Sequence, residues 1–150
     1  STWLAADNLP ATWEADFGFT FQPTKLRLYN THQEGRGTKT FRFLAFPLNG
    51  IMNFTYVDPS TRKNASCTSE CPLSNDPNVK FQDFRFVNRV GMDSFQVAIS
   101  DWYGSGAGLS GIELFQDDMF AYAINNFNEP NCKGIQFPST ATATGPWTEA

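Results

Sequence analysis

The chain has 150 residues, of which 41% are hydrophobic and 15% aromatic, and a formal net charge of −4 at pH 7. A chain of that length makes one domain and buries roughly two-thirds of its unfolded surface, so a full core forms without a dense set of covalent staples. The weakly negative sequence has no basic stripe, which argues against nucleic acid or an anionic membrane as partner. No apolar run approaches the roughly 20 residues needed to span a bilayer, so this chain is expected not to insert into a membrane.

Period-2 alternation dominates from end to end. Residues 16–21 place Phe17, Phe19 and Phe21 on one face, and 24–31 place Leu26 and Leu28 inward with Lys25 and Arg27 outward. A polar connection at 31–37 carries His32 and Arg36. Residues 40–46 align Phe41, Phe43 and Ala45; an Asn49-Gly50 turn signal then leads into a strand over 51–57. The longest irregular stretch is 58–78, rich in Pro, Ser, Asn and Asp, and a loop of that length is usually functional or specially stabilised. Strands follow over 80–87 and 93–102, the second with Phe95, Val97 and Ile99 on one face. Segments 111–116 and 119–125 complete about eight strands, the last aligning Phe120, Tyr122 and Ile124. With turn residues between them, no long amphipathic helix and no internal repeat, these strands predict an all-β sandwich or jelly roll. Residues 137–150, with STATATG and two prolines, read as a linker into a following domain, which leaves 1–136 as the folded module. No signal peptide opens the chain, so the targeting segment of a secreted protein would lie outside it.

Gly106, Gly108 and Gly111 spell G-x-G-x-x-G, the dinucleotide fingerprint. That motif needs a helix after the glycines, with its N-terminus at the pyrophosphate. Here Ile112-Glu113-Leu114-Phe115 follows, which is strand chemistry, and Glu129 at a loose spacing is weak support. The glycines are expected to serve a tight connection between strands.

Three cysteines occur, Cys67, Cys71 and Cys132. A zinc site lacks ligands, since His32 is the only histidine and there is no second cysteine pair. A Cys67–Cys71 disulfide is the better reading; closing so short a loop contributes about 2 kcal/mol in the chain-entropy model. Cys132 is then odd: buried, free, or paired beyond this chain, with a bridge from Cys132 to one of the loop cysteines as the alternative. Two N-glycosylation sequons begin at Asn53 and Asn64. Asn64 is expected in a loop and Asn53 in a strand, where it needs an exposed face. Sequons and cysteine loop together favour an oxidising, extracellular context.

Catalytic chemistry finds little footing. His32 is the sole imidazole and sits in a polar connection. Asp117-Asp118 would point to opposite faces if extended, so a hairpin turn explains them better than a catalytic pair, and Asp101 with Glu113 lacks a visible cleft. A structural calcium is the sharper candidate. Asp7, Asn8 and Thr12 offer hard oxygens, and Glu113 is an acid between apolar residues that a cation would satisfy if it were buried. Glu113 facing solvent is the competing reading. Trp13, Trp102 and Tyr103 are candidates for an aromatic sugar platform, with His32 and Arg36 as further ligand-contacting residues; core packing is the commoner fate of aromatic side chains.

The segment from Asp7 to Trp13, followed by Asp16-Phe17-Gly18, resembles the D-G-x-x-x-T-x-W … D-L-G opening of discoidin-like (galactose-binding-like) domains, with Asn8 where that opening carries glycine. Gly111-Ile112-Glu113-Leu114-Phe115 resembles their closing strand, whose acid often helps hold calcium. Lys25-Leu26-Arg27-Leu28-Tyr29-Asn30-Thr31, Gly37-Thr38-Lys39-Thr40-Phe41-Arg42-Phe43, Cys67…Cys71-Pro72-Leu73, Phe81-Gln82-Asp83-Phe84, and Trp102-Tyr103-Gly104 through Asn128 together resemble the fungal Rax-type cellular morphogenesis (bud-site selection) proteins over most of residues 3–132. The resemblance implies a non-enzymatic extracellular module of a larger single-pass membrane protein, on the outer side of the fungal plasma membrane or in the cell wall. It implies contact with a surface protein or cell-wall polysaccharide. A carbohydrate-binding module of a secreted enzyme or adhesin is the alternative.

Overall fold

The computed structural model describes the backbone of residues 3–117, 119–125, 129–131, 140–144 and 147–149, and the side chains of 4–16 and 20–117. The first eight strands are β1 (Trp3–Ala5), β2 (Ala11–Phe21), β3 (Lys25–Asn30), β4 (Thr38–Phe46), β5 (Gly50–Ile51), β6 (Phe54–Val57), β7 (Asn64–Cys67) and β8 (Cys71–Pro72). They are followed by β9 (Gln82–Phe86), β10 (Met92–Trp102), β11 (Gly108–Gln116), β12 (Met119–Asn125), β13 (Glu129–Asn131), β14 (Thr140–Thr144) and β15 (Trp147–Glu149). The described residues contain no helix.

The strands form two sheets, with every described pairing antiparallel. In sheet A the order is β13-β12-β11-β3-β9-β6-β7, with β1 beside β11 and β15 beside β1. In sheet B it is β14-β2-β10-β4-β5, with β8 beside β4. Sequence neighbours are often not sheet neighbours: β3 lies between β11 and β9, and β10 between β2 and β4.

Alternation decides which face each residue occupies. Leu26, Leu28, Phe54, Phe84, Ile112 and Leu114 of sheet A and Trp13, Phe41, Phe43, Phe95, Val97 and Ile99 of sheet B belong to one buried cluster. Rings interlock across the two sheets: Phe41 meets Phe84 edge-on at 4.9 Å, and Phe43 meets Phe54 at 5.9 Å and Phe86 at 5.3 Å. Edge-to-face pairs of this kind add about 0.5–1.5 kcal/mol each beyond area burial. The inward sets expected for β3, β4 and β10 are therefore the core. Phe21 is buried with them. The alignments expected for Phe17 and Phe19, and for Phe120, Tyr122 and Ile124, fall on side chains outside the described residues, as do Asp118 and Cys132.

Several expectations need correction. Residues 58–78 are not one irregular loop, because they contain β7 and β8. The β6–β7 hairpin closes through Asp58, whose amide donates to the Lys63 carbonyl at 2.9 Å. Its carboxylate accepts from the Ser60 hydroxyl (2.7 Å) and from the amides of Ser60 and Thr61. Those bonds, led by the Ser60 hydroxyl, hold the Asp58 carboxyl below its usual range. Asn64 thus opens a strand, while Asn53 lies just before β6 rather than inside a strand. Of the tail expected as a linker, Thr140–Thr144 pairs with β2 and Trp147–Glu149 with β1. The Cys67–Cys71 disulfide forms, and since β7 lies in sheet A and β8 in sheet B, it ties the edge of one sheet to the other.

Candidate interaction surface

The outer face of sheet A carries a charged and aromatic ladder. Because Leu26, Leu28, Ile112, Leu114 and Phe84 point inward, Lys25, Arg27, Tyr29, Glu113, Phe115 and Asp83 occupy the other face. Register sets Glu113 opposite Arg27, and Arg27 opposite Asp83. Arg27 donates to the Asp83 carboxylate through Nε (2.7 Å) and Nη2 (3.1 Å), and Lys25 Nζ lies 3.7 Å from the same group. The Asp83 hydrogen bond raises the guanidinium above its already high range. The guanidinium also sits 3.9 Å from the Phe81 ring centre and 5.2 Å from that of Phe115, while Lys25 lies 4.2 Å from the Phe115 ring. Burial pushes the Tyr29 phenol up to about 12, and its hydrogen bond to Glu113 adds to the shift.

Beside this ladder a groove of about 840 Å³ runs between β6, β7 and β9. Thr55, Val57, Asn64, Ser66, Phe81 and Arg85 line it, mixing apolar and hydrogen-bonding groups. Phe81 is 42% exposed and Val57 56%.

At one end of the sandwich, the 31–37 connection docks on 103–106 and on the turn after β1. The Ser105 amide donates to Gly35 O (2.9 Å), the Tyr103 amide to Gly37 O (2.8 Å), the Gly37 amide to Gly106 O (3.0 Å) and the Asn8 amide to Ser105 O (2.8 Å). Arg36 is the clamp: it donates to Asp7 Oδ1 at 2.5 Å and to the Ala5 carbonyl. The glycines make this packing possible. Gly104 has φ +64 and a Cβ there would collide with the Gly35 carbonyl; a Cβ on Gly106 would collide with the Arg36 guanidinium. The fingerprint glycines 106 and 108 thus serve close approach and strand entry in an all-β fold, with β11 where the dinucleotide motif needs a helix. Buried Asn30 locks the same region. Its Nδ2 donates to Thr38 O (2.8 Å) and Ser74 O (2.9 Å), and its Oδ1 accepts from the amides of Thr31 (3.1 Å) and Thr38 (2.9 Å).

The residues expected to bind ligand are mostly structural. Arg36 is committed to the clamp, and Trp102 is half-buried against the core. The Tyr103 hydroxyl donates to Leu73 O at 2.8 Å, and burial, with the nearby Asp101 charge, raises its phenol above the ordinary value. Trp13 is 1% exposed, so it belongs to the core and not to a sugar platform. His32 is exposed, on the same connection as Arg36. The four expected calcium ligands do not converge. Asp7 pairs with Arg36; Thr12 lies outward on sheet B, between inward Ala11 and Trp13; Glu113 lies on the outer face of sheet A, 7% exposed and matched to Tyr29 and Arg27. Packed sheets stand about 10 Å apart, so one cation with oxygens at about 2.3–2.6 Å cannot join Thr12 to Glu113. Among the described residues, no three His, Cys, Asp or Glu side chains gather as a metal site. Asp117 occupies the turn after β11 at φ 55 and pairs with Arg89 at 2.9 Å. Asp101 lies on β10 of sheet B, apart from Glu113 on β11. Sequence reading missed the Tyr29–Phe81–Asp83–Phe115 part of the ladder; the outward alternation of Lys25 and Arg27 was its visible signal.

These features define an all-β, two-sheet module with a charged aromatic face and a disulfide-tied edge. The chain belongs to the Rax2 family: the model described as "Rax2 second domain" matches residues 1–109, and that described as "Rax2 third domain" matches residues 120–150. It is 60% identical over 147 residues, 97% of this chain, to "Polarized growth protein L1" of a Phoma species. It is 32% identical over 87% of the chain to "Polarized growth protein RAX2" of Candida albicans, and 30% identical over 93% to "Bud site selection protein RAX2" of Saccharomyces cerevisiae. The chain spans only 11%, 13% and 14% of the lengths of these three relatives. No solved structure matches it significantly.

Proposed function

We propose that this chain is a non-enzymatic, extracellular binding module of a fungal cell-polarity protein, built as a discoidin-like jelly roll, and that it docks a surface protein through the outer face of sheet A. The names of its relatives, polarized growth and bud site selection proteins, support the polarity role. The observation that carries the docking face is Arg27, held by Asp83 and set between the Phe81 and Phe115 rings. Arginine and aromatic side chains fixed in place are the groups that dominate protein interfaces, since little rotamer freedom is lost when they are covered. The disulfide and the two sequons fit an oxidising exterior, on the outer side of the plasma membrane or in the cell wall, as part of a larger single-pass membrane protein. Among the described residues no helix is long and apolar enough to cross a membrane.

The test replaces the native gene with one carrying Lys25→Glu and Arg27→Glu in the full-length protein. Growth-site placement is expected to fail at unchanged surface abundance. Correct placement with the reversed charges sinks the docking face. A cell-wall polysaccharide is the second reading, favoured by the mixed polar and apolar lining of the groove; retention of the module on insoluble wall glucan, lost in Phe81→Ala, would select it. In that pull-down the glucan is expected to be recovered unhydrolysed, as a non-enzymatic module requires.

A further inference from the structure

The groove on sheet A is bordered by a sequon that the fold turns toward it. Pairing of β6 with β7 sets Val57 opposite Asn64 and Thr55 opposite Ser66. All four side chains are exposed, and all four line the groove together with Pro59 and Phe81. In Asn64-Ala65-Ser66 the acceptor amide and the hydroxyl that defines the sequon therefore lie on one outward face. The Asn64 side chain makes no hydrogen bond with the described residues. Asn53 differs: its Oδ1 accepts from the Thr68 hydroxyl at 2.6 Å.

The surroundings of Asn64 call for a cover. Val57 and Phe81 are exposed apolar side chains beside a volume inside the roughly 300–1,000 Å³ range of small-molecule sites. β7 ends the described strand order on its side of sheet A, and its sequence, Asn-Ala-Ser-Cys, has no charge or proline to block pairing with another strand. Uncharged edges next to apolar patches are the places where chains associate wrongly.

We infer that Asn64 carries an N-linked glycan whose first sugars lie in this groove, over Val57 and Phe81, and cap the β7 edge. The inference rests on the extracellular reading above and excludes the wall-polysaccharide reading of the groove, which the chain's own glycan would occupy; the docking face then works through Arg27 and Phe115. The bond forms between Nδ2 of Asn64 and the anomeric carbon of the first sugar. The donor is a lipid-diphosphate-linked oligosaccharide; the lipid diphosphate leaves and the amide gives up one proton. A sugar ring offers an apolar face for the exposed side chains and hydroxyls for Thr55, Ser66 and Arg85.

The test uses the full-length protein from a glycosylating fungal host. Enzymatic release of N-glycans in heavy-oxygen water labels every occupied asparagine, and mass spectrometry reads the Asn64 peptide. Asn64 is expected to be labelled. Hydrogen exchange over β6, β7 and β9 is expected to quicken several-fold in Asn64→Gln and in Ser66→Ala. It is expected to stay slow when the folded wild-type glycan is trimmed to its first sugar, and to be unchanged by Asn53→Gln. An unlabelled Asn64 in a protein whose other sequons are labelled overturns this inference alone. A protein with no labelled sequon overturns the extracellular reading as well. A labelled Asn64 whose removal leaves exchange unchanged overturns the placement of the glycan in the groove.

Discussion

Glu113 stands directly opposite Arg27 across the β11–β3 ladder, and the same arginine stands opposite Asp83 on β9. An acid between apolar residues on a closing strand is thus matched by a neighbour in the sheet. Tyr29, one alternation further along β3, hydrogen-bonds the same carboxylate.

The Arg27–Asp83 pair is partly shielded and held by two hydrogen bonds, so it is worth more than a free surface pair. A double-mutant cycle with Arg27→Leu and Asp83→Asn should return a coupling of about 1 kcal/mol in urea unfolding. The coupling should shrink, without vanishing, in high salt.

Tyr29 titrates in the folded chain at about 12, above its ordinary 10.0. The unfolded chain loses that proton first as pH rises. The contribution of Tyr29 is therefore complete below about pH 10 and is lost as pH climbs toward about 12. Urea midpoints measured across that window should fall more steeply for the wild type than for Tyr29→Phe. Parallel curves would show that the phenol is not coupled to folding.

Asn30 satisfies two carbonyls and two amides at once. Asn30→Leu leaves these groups buried without partners and should cost roughly 3 kcal/mol. Asn30→Asp keeps the acceptor oxygen while losing both donors, and is expected to be destabilising too, by thermal melting.

The two loop glycines should differ. Gly104→Ala meets both a left-handed backbone and the fixed Gly35 carbonyl, so a loss above ~2 kcal/mol is expected. Gly106→Ala meets the Arg36 side chain, which can move once released. Its cost should fall markedly in an Arg36→Ala background, whereas the cost of Gly104→Ala should not. Equal behaviour of the two would refute the clamp.

Cys67 and Cys71 join β7 of sheet A to β8 of sheet B. Replacing both with serine should remove about 2 kcal/mol by the loop-entropy argument. Faster hydrogen exchange should appear first in the β6–β7 hairpin, since among the described strands that hairpin pairs with the rest of sheet A through β9 alone.

Much of the fold was legible because alternation is a local property of an extended chain. Leu26 and Leu28, Phe41 and Phe43, and Phe95, Val97 and Ile99 each announced a face, and each set is buried. The Asn49-Gly50 turn was equally local, with Asn49 at φ 54 between β4 and β5. The short polar strands β7 and β8 escaped notice because their residues favour turns, and only pairing with β6 and β4 makes them strands. Trp102, Tyr103 and Arg36 looked available for ligand, yet which polar or aromatic side chain is taken depends on loops that meet across 70 residues, as Gly35 and Ser105 do. Sequence by itself determined the two-faced strands and the aromatic core, since these follow from spacings within a strand, and it favoured the Cys67–Cys71 bridge that the structure then selected over one from Cys132. Tertiary structure alone decided that Glu113 faces Arg27 and not Thr12, that glycines 104 and 106 serve packing, and that Asn64 borders a groove. Each of those depends on strand order, which brings together residues that no local period relates.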